Sequence, residues 1–254
     1  MPYTRKEVLS RLRQEAAGGK IIVGVSAGTG DSAKAAEAGG ADLIVVYNSD
    51  RYKMPGGNLL AGLLPYGDAN GIVADLGREV LSAAGMTPVI AGVCGTDPFR
   101  IMDVYLKQLK EQGFSGVQNF PTVGLYDGAF RANLEEAGMG YALEVEMIGK
   151  ARRLDLFTCP FVFNREEARS MAAAGADCLV VHLGLVTNGP IGIRKAQTFD
   201  DSLRTLREIG DAARSENPEL IVMCHGGLLA EPEQARRAVA QMDGLHGYFD
   251  IPTL

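Results

Sequence analysis

The chain has 254 residues, a net charge of −6, 46% hydrophobic and 22% charged residues, and no Trp. The acidic balance, without any basic stripe interleaved with aromatics, argues against nucleic acid as a partner. No apolar run approaches the roughly 20 residues of a membrane span. The start, Met1-Pro2-Tyr3-Thr4-Arg5-Lys6, lacks the apolar core of a signal peptide, so a cytoplasmic protein without membrane contact is predicted.

The segment Thr4–Ala17 places Val8, Leu9, Leu12 and Ala16 on one side and predicts an N-terminal helix. Apolar strands separated by glycine-rich loops and amphipathic stretches follow: Ile21–Ala27, Asp42–Asn48, Pro88–Cys94, Gly116–Phe120, Leu156–Phe163, Cys178–Leu183, Leu220–His225 and Gly244–Asp250. Several are continuously apolar, as Leu43-Ile44-Val45-Val46 and Leu179-Val180-Val181 are, which suits parallel strands covered on both faces. Eight such strands alternating with helices fit a closed barrel better than an open doubly wound sheet. The predicted fold class is α/β, a (β/α)8 TIM barrel forming one domain over 1–254. It has an extra N-terminal helix and a truncated or missing eighth helix, since only Ile251-Pro252-Thr253-Leu254 follow the last strand. That helix could cover the gap or close the barrel floor, and the gap predicts a homo-oligomer.

Local punctuation agrees. Asp97-Pro98 has the form of an N-cap and first helical residue, opening a helix that ends at Gly113. Asp127 opens a helix that stops at Gly138. Asn164 with Glu167 resembles a capping box, and Pro232 starts the last helix, through Met242. The run Gly40-Ala41-Asp42-Leu43-Ile44-Val45-Val46-Tyr47 is echoed half a chain later by Gly175-Ala176-Asp177-Cys178-Leu179-Val180-Val181-His182. Ser49–Asn70 is far longer than an ordinary connection after a strand and mixes glycines with apolar anchors, which predicts a lid over the strand C-termini. The four cysteines show no CxxC spacing and fall in strand segments, so buried free thiols are expected.

In such barrels the loops after the strands carry function. The three histidines lie on the sixth, seventh and eighth predicted strands. His182 and His225, at strand ends, are candidate proton-transfer groups facing one cavity, whereas His246, early in its strand, fits a structural role. Asp97 and one of Glu144 and Glu146 are further catalytic candidates, although Asp97 suits a cap and both glutamates suit a first helical turn. Asn48 and Asn119 end apolar strands and need partners there, which suits substrate binding. The turns Gly28-Thr29-Gly30 and Gly226-Gly227 offer amides to the anionic end of a substrate. An aldolase-type Schiff base would need a lysine ending a strand, and none does.

The stretches AGTGDSAKAAEAGGADLIVVYNSDRY (27–52), LLAGLLPYGDAN (59–70), TPVIAGVCGTDPFR (87–100), GFSGVQNFPTVGLYDGAFRANLEEAGMGYALEVEMI (113–148), IVMCHGG and GLHGYF resemble the phosphoenolpyruvate-hydrolase-like TIM-barrel family. Its members are described as phosphonopyruvate hydrolases or as signal-transduction barrels. The resemblance implies a phosphoenolpyruvate/pyruvate barrel and a hydrolase or lyase that cleaves a C–C or C–P bond beside the enolisable carbonyl of a small oxo acid. The alternative it implies is a non-catalytic, ligand- or protein-binding barrel with a signalling role. Enzymes of that wider group hold Mg2+ on clustered carboxylates, including an Asp-x-Asp pair near the third strand. Here that place reads Cys94-Gly95-Thr96-Asp97, with one Asp, so a divalent metal such as Mg2+ stays an open expectation and its ligands unknown.

Overall fold

The computed structural model describes residues 3–53, 59–184 and 198–250. Its strands are β1 (Ile22–Ser26), β2 (Leu43–Val46), β3 (Val89–Val93), β4 (Gly116–Asn119), β5 (Phe157–Thr158), β6 (Phe161–Val162), β7 (Cys178–His182), β8 (Ile221–His225) and β9 (Gly247–Asp250). All pairings are parallel, in the order β5-β4-β3-β2-β1-β9-β8-β7-β6. The two ends of that order, β5 and β6, are pieces of one extended segment, the fifth predicted strand. Pro160 has no amide to donate and divides it. Cys159 N still donates to Val117 O (3.1 Å) on one side, while Pro160 O accepts from Val180 N (2.9 Å) on the other, which closes the ring. The (β/α)8 barrel is therefore the fold.

The helices are α1 (Arg5–Ala17), α2 (Gly30–Ala38), α3 (Asn48–Lys53), α4 (Ala69–Ala83), α5 (Met102–Gln112), α6 (Gly128–Glu136), α7 (Tyr141–Arg153), α8 (Arg165–Ala173), α9 (Phe199–Arg214) and α10 (Pro232–Gln241). Alternation along buried strands makes two cores. Leu43, Val45, Ile90, Val180, Ile221 and Met223 point into the barrel, whereas Ile44, Val46, Ala91, Val181 and Val222 pack outward against helices. The inner core also takes Val8, Leu9 and Leu12 of α1. Thr4 caps that helix in a reciprocal box with Glu7, and Arg5 anchors it to Asp177 at 2.7 Å. Helix α1 thus plugs the barrel floor. It does not cover the outer face of β1, where Val23 and Val25 stay half-buried while β2, β3, β7 and β8 are buried throughout.

The internal echo has a physical content. Gly40 and Gly175 both adopt positive φ, +84° and +91°, to turn from a helix into a strand. The aspartates that follow then tie their strand to the preceding one: Asp42 Oδ2 accepts from Val23 N (2.9 Å), and Asp177 Oδ2 from Thr158 N (3.1 Å).

One predicted helix start is corrected. Asp97-Pro98 does not open a helix; α5 begins at Met102. Asp97 Oδ1 instead accepts from Phe99 N (2.9 Å), a local turn that competes with capping. The predicted lid segment lies at the strand C-termini. It folds as α3, a 3-10 turn at Leu59–Leu63 and a bend into α4, with Asn48 Nδ2 donating to Gly62 O (2.9 Å) and Tyr126 OH to Leu63 O (2.6 Å). Residues 54–58 of it, and 251–254 after the last strand, lie outside the described residues.

Candidate active site

Parallel pairing of β7 with β8 puts His182 level with His225. The rings meet edge to face with centroids 4.8 Å apart, and Phe161 and Phe163 enclose His182. Their backbone partners fix opposite tautomers. His225 Nδ1 lies 3.0 Å from Phe249 O, a pure acceptor, so Nδ1 carries the proton and Nε2 keeps a lone pair. His182 Nδ1 accepts from Gly184 N (3.1 Å), so its proton sits on Nε2. Burial holds both rings neutral: His225 is lowered to about 4, and His182 is pushed well below its ordinary value by burial and then by its neighbour. The His246 ring hydrogen-bonds the Val222 backbone, which suits a structural role.

Beside the pair stands an ionic contact that the sequence did not reveal. Lys53 Nζ lies 3.3 Å from Asp50 Oδ1, and both side chains are largely buried. Asp50 also accepts from Tyr47 N (2.9 Å). Burial raises the Asp50 carboxyl, and the Lys53 charge opposes that rise; burial likewise raises Asp250 against the pull of Lys53, and Lys53 adds to the lowering of His225 that burial causes. Gly28 allows this approach, because a Cβ there would lie 2.5 Å from Asp50 Cβ. Tyr47 OH donates to Gln118 Oε1, and Gln118 Nε2 donates to Cys159 O (2.7 Å), which ties β2 to β4 and β5 inside the barrel. The signal for Asp50 and Lys53 was their three-residue spacing, legible only once the long segment is known to begin as a helix.

At the ends of β2, β3 and β4 opens a cleft of about 700 Å³, lined by Asn48, Cys94, Thr96, Asp97, Arg100 and Thr122 among others. The backbone of Asn48 and Ser49 starts α3, and both side chains are buried. Among the described residues, Asn48 Oδ1 and Ser49 Oγ have no hydrogen-bond partner. Asp97 faces this cleft but is occupied: besides Phe99 N it accepts from Asn70 Nδ2 (2.8 Å) and lies 3.6 Å from Arg100 Nε. Neither histidine lines this cleft, so the structure brings His182 and His225 together but puts them outside the described cavity.

Three other expectations change. Glu144, not Glu146, turns inward; Glu146 is exposed and pairs with Lys150 (2.9 Å). Glu144 is fully buried and accepts from Asn119 Nδ2 (2.5 Å), Thr122 Oγ1 (2.7 Å) and Val123 N (2.8 Å). Burial raises its carboxyl to about 7 against the pull of those donors. It braces the loop after β4 from behind the cleft wall and does not face the cleft. Asn119 is likewise committed, to Glu144 and, through Oδ1, to Phe161 N (2.7 Å), which leaves it no free contact for a substrate. The glycine turns are occupied as well. Thr29 caps α2, with its amide on Ser32 Oγ (3.0 Å), and Gly30 N donates to Glu79 Oε1 (2.8 Å). Gly227 N donates to Gly184 O (3.1 Å), and a Cβ on Gly226 would strike the same carbonyl at 2.2 Å.

A Mg2+ ion needs several oxygen ligands free to converge on it. The end of β3 supplies Cys94, Thr96 and the occupied Asp97, and Glu144 has all its neighbours as donors. Among the described residues no group of three or more His, Cys, Asp or Glu side chains could hold a metal ion. The described donor set does not fit a carboxylate-held Mg2+.

The family model for phosphoenolpyruvate hydrolase-like proteins matches residues 7–253. The chain belongs to that family. Within it, the chain is 52% identical over 250 residues to the tomato (Solanum lycopersicum) ToMV resistance protein Tm-1(GCR237), covering 98% of this chain and 33% of the relative. It thus spans about a third of the length of its tomato relatives. Among solved structures, phosphonopyruvate hydrolase in complex with oxalate and Mg2+ superimposes with a TM-score of 0.63 at 15% identity, covering 95% of this chain and 79% of that one. Oxaloacetate acetylhydrolase gives 0.62 at 13% identity, covering 100% and 82%. These likenesses show the barrel fold, and the two fold neighbours are named as hydrolases.

Proposed function

We propose that the protein is a hydrolase or lyase that cleaves a C–C or C–P bond beside the enolisable carbonyl of a small anionic oxo acid. The observation that carries this reading is the neutral His182–His225 pair with opposite tautomers. His225 Nε2 is a lone pair ready to take a proton, and His182 Nε2–H is a donor suited to an enolate oxygen as the bond breaks. Among the described residues Lys53 is met by the one carboxylate of Asp50, where Arg100 is met by two, and it is the cation placed to hold the substrate carboxylate as a second partner. Burial is the main cause of the low His225 value, and an anion bound there offsets the smaller part that the Lys53 charge adds, which strengthens His225 as a base. Asn48 orients the substrate through its unpartnered Oδ1. Asp97, Glu144, Asn119 and the glycine turns take supporting places, and no step is assigned to a metal. The protein acts in the cytoplasm as a homo-oligomer, with a second copy covering the half-buried face of β1.

The test is turnover of phosphonopyruvate and acylpyruvates by the full chain, read as released pyruvate. His225→Gln should lower the rate by about 10²-fold or more. Equal rates in variant and parent would refute the assignment. A second reading, a non-catalytic binding barrel, is favoured by the poor fit to Mg2+ and by the virus-resistance name of the tomato relative. Binding of oxo acids without turnover would select it.

A further inference from the structure

We infer that the cleft beside Asn48 receives the tail of the substrate: the site takes a monoanionic oxo acid with a large aromatic or branched aliphatic group, not a phosphonate or phosphate ester. This rests on the oxo-acid reading above and narrows it. Size is the first argument. A three-carbon acid displaces a few waters, on the order of 100 Å³, whereas the cleft measures about 700 Å³. The walls are the second. Leu63, Leu64, Pro98, Phe99, Tyr126 and Met139 line it, and among the described residues every exposed large hydrophobic side chain except Met86 lies on the segments that follow β2, β3 and β4. Of these, Leu64, Phe99 and Met139 line the cleft itself, and exposed apolar side chains in a concavity mark a surface that apolar matter covers.

Charge is the third argument. Among the described residues of the cleft the ionisable side chains that carry charge are Asp68, Asp97 and Arg100, and Arg100 already contacts both carboxylates. The lining is therefore net negative and its cation is engaged. A dianionic phosphonate would meet repulsion without a free partner. The buried Asn48 Oδ1 is an acceptor with no donor among the described residues, and the enol hydroxyl of a 2-oxo acid is a donor that would satisfy it. That ties the head of the substrate to this end of the cleft, while size, walls and charge select the tail.

The experiment is isothermal calorimetry on the full chain at neutral pH with phenylpyruvate, pyruvate, phosphonopyruvate and 3-phenylpropanoate. Phenylpyruvate is expected to bind at least tenfold more tightly than pyruvate or phosphonopyruvate. Leu64→Asp should weaken phenylpyruvate at least tenfold and leave pyruvate within about threefold, since burial of the ring is what the variant removes. Pyruvate or phosphonopyruvate binding as tightly as phenylpyruvate would overturn the inference and leave the oxo-acid reading standing. Binding of 3-phenylpropanoate as tightly as phenylpyruvate would overturn the oxo-acid reading while keeping the tail site. Failure of all four ligands to bind would overturn both.

Discussion

Two polar clusters stand at the same end of this barrel and differ in one respect. Behind the loop after β4, Glu144 is fully buried and both of its oxygens are met by donors from Asn119, Thr122 and Val123. At the end of β2, Asn48 Oδ1 and Ser49 Oγ are equally buried and meet no hydrogen-bond partner among the described residues. A satisfied buried network fixes a structure. An unsatisfied acceptor beside an open cleft costs stability, and a ligand can return it. The contrast says which polar residues hold the site and which await an occupant, and mutation can test it from both sides.

The largest effect is expected on the satisfied side. Glu144→Ala strands three donors and should cost about 3–5 kcal/mol in urea unfolding. A loss below about 1 kcal/mol would mean that the network braces nothing. Next comes pH. The Glu144 carboxyl, raised from 4.5 to about 7, holds its proton longer in the folded protein than in the unfolded chain. Its contribution is therefore present below pH 4.5 and is lost as pH rises to 7, by about 3 kcal/mol. His225 has the opposite sign. It is lowered from 6.5 to about 4, so its contribution is present above pH 6.5 and falls away toward pH 4 by a similar amount. The two slopes oppose each other between pH 4.5 and 6.5. Glu144→Gln should steepen the loss of stability on acidification in that window, and His225→Gln should flatten it. Parallel curves for parent and variants would contradict both assignments.

A smaller effect is expected where Gly28 meets Asp50. Gly28→Ala places a Cβ 2.5 Å from Asp50 Cβ and should cost about 1–3 kcal/mol, with weaker binding of the anion proposed for Lys53. The smallest belongs to the unsatisfied side. Ser49→Ala should leave stability within about 0.5 kcal/mol or raise it, because the hydroxyl it deletes makes no hydrogen bond among the described residues. A cost above about 2 kcal/mol would show that the serine is not the orphan the comparison takes it to be.

The barrel was legible in the sequence because doubly covered strands cannot hide: Leu43–Val46 and Leu179–Val181 are apolar at every position, and period-two patterns would not be. The histidines were legible for the related reason that a polar ring ending such a strand needs a purpose. What stayed hidden depends on where separate loops converge. Lys53 and Asp50 required knowing that the long segment starts as a helix. The commitment of Asn119 to Phe161 and Glu144 could not be seen from one strand. Asp97-Pro98 satisfied two local rules at once, and the turn onto Phe99 prevailed over the helix cap. The glycine turns looked like anion cradles because their amides were visible and the Glu79 carboxylate that fills one of them, from a distant helix, was not.

Enolate formation at the mouth is the central claim, and hydrogen–deuterium exchange at C3 of a 2-oxo acid tests it without regard to which bond the enzyme cleaves. Pyruvate and phenylpyruvate are incubated in D2O with the full chain, and loss of the C3 proton signal is followed by NMR. The account predicts exchange well above the buffer rate, lowered about 10²-fold by His225→Gln. Exchange at the buffer rate in the presence of a bound oxo acid would contradict it.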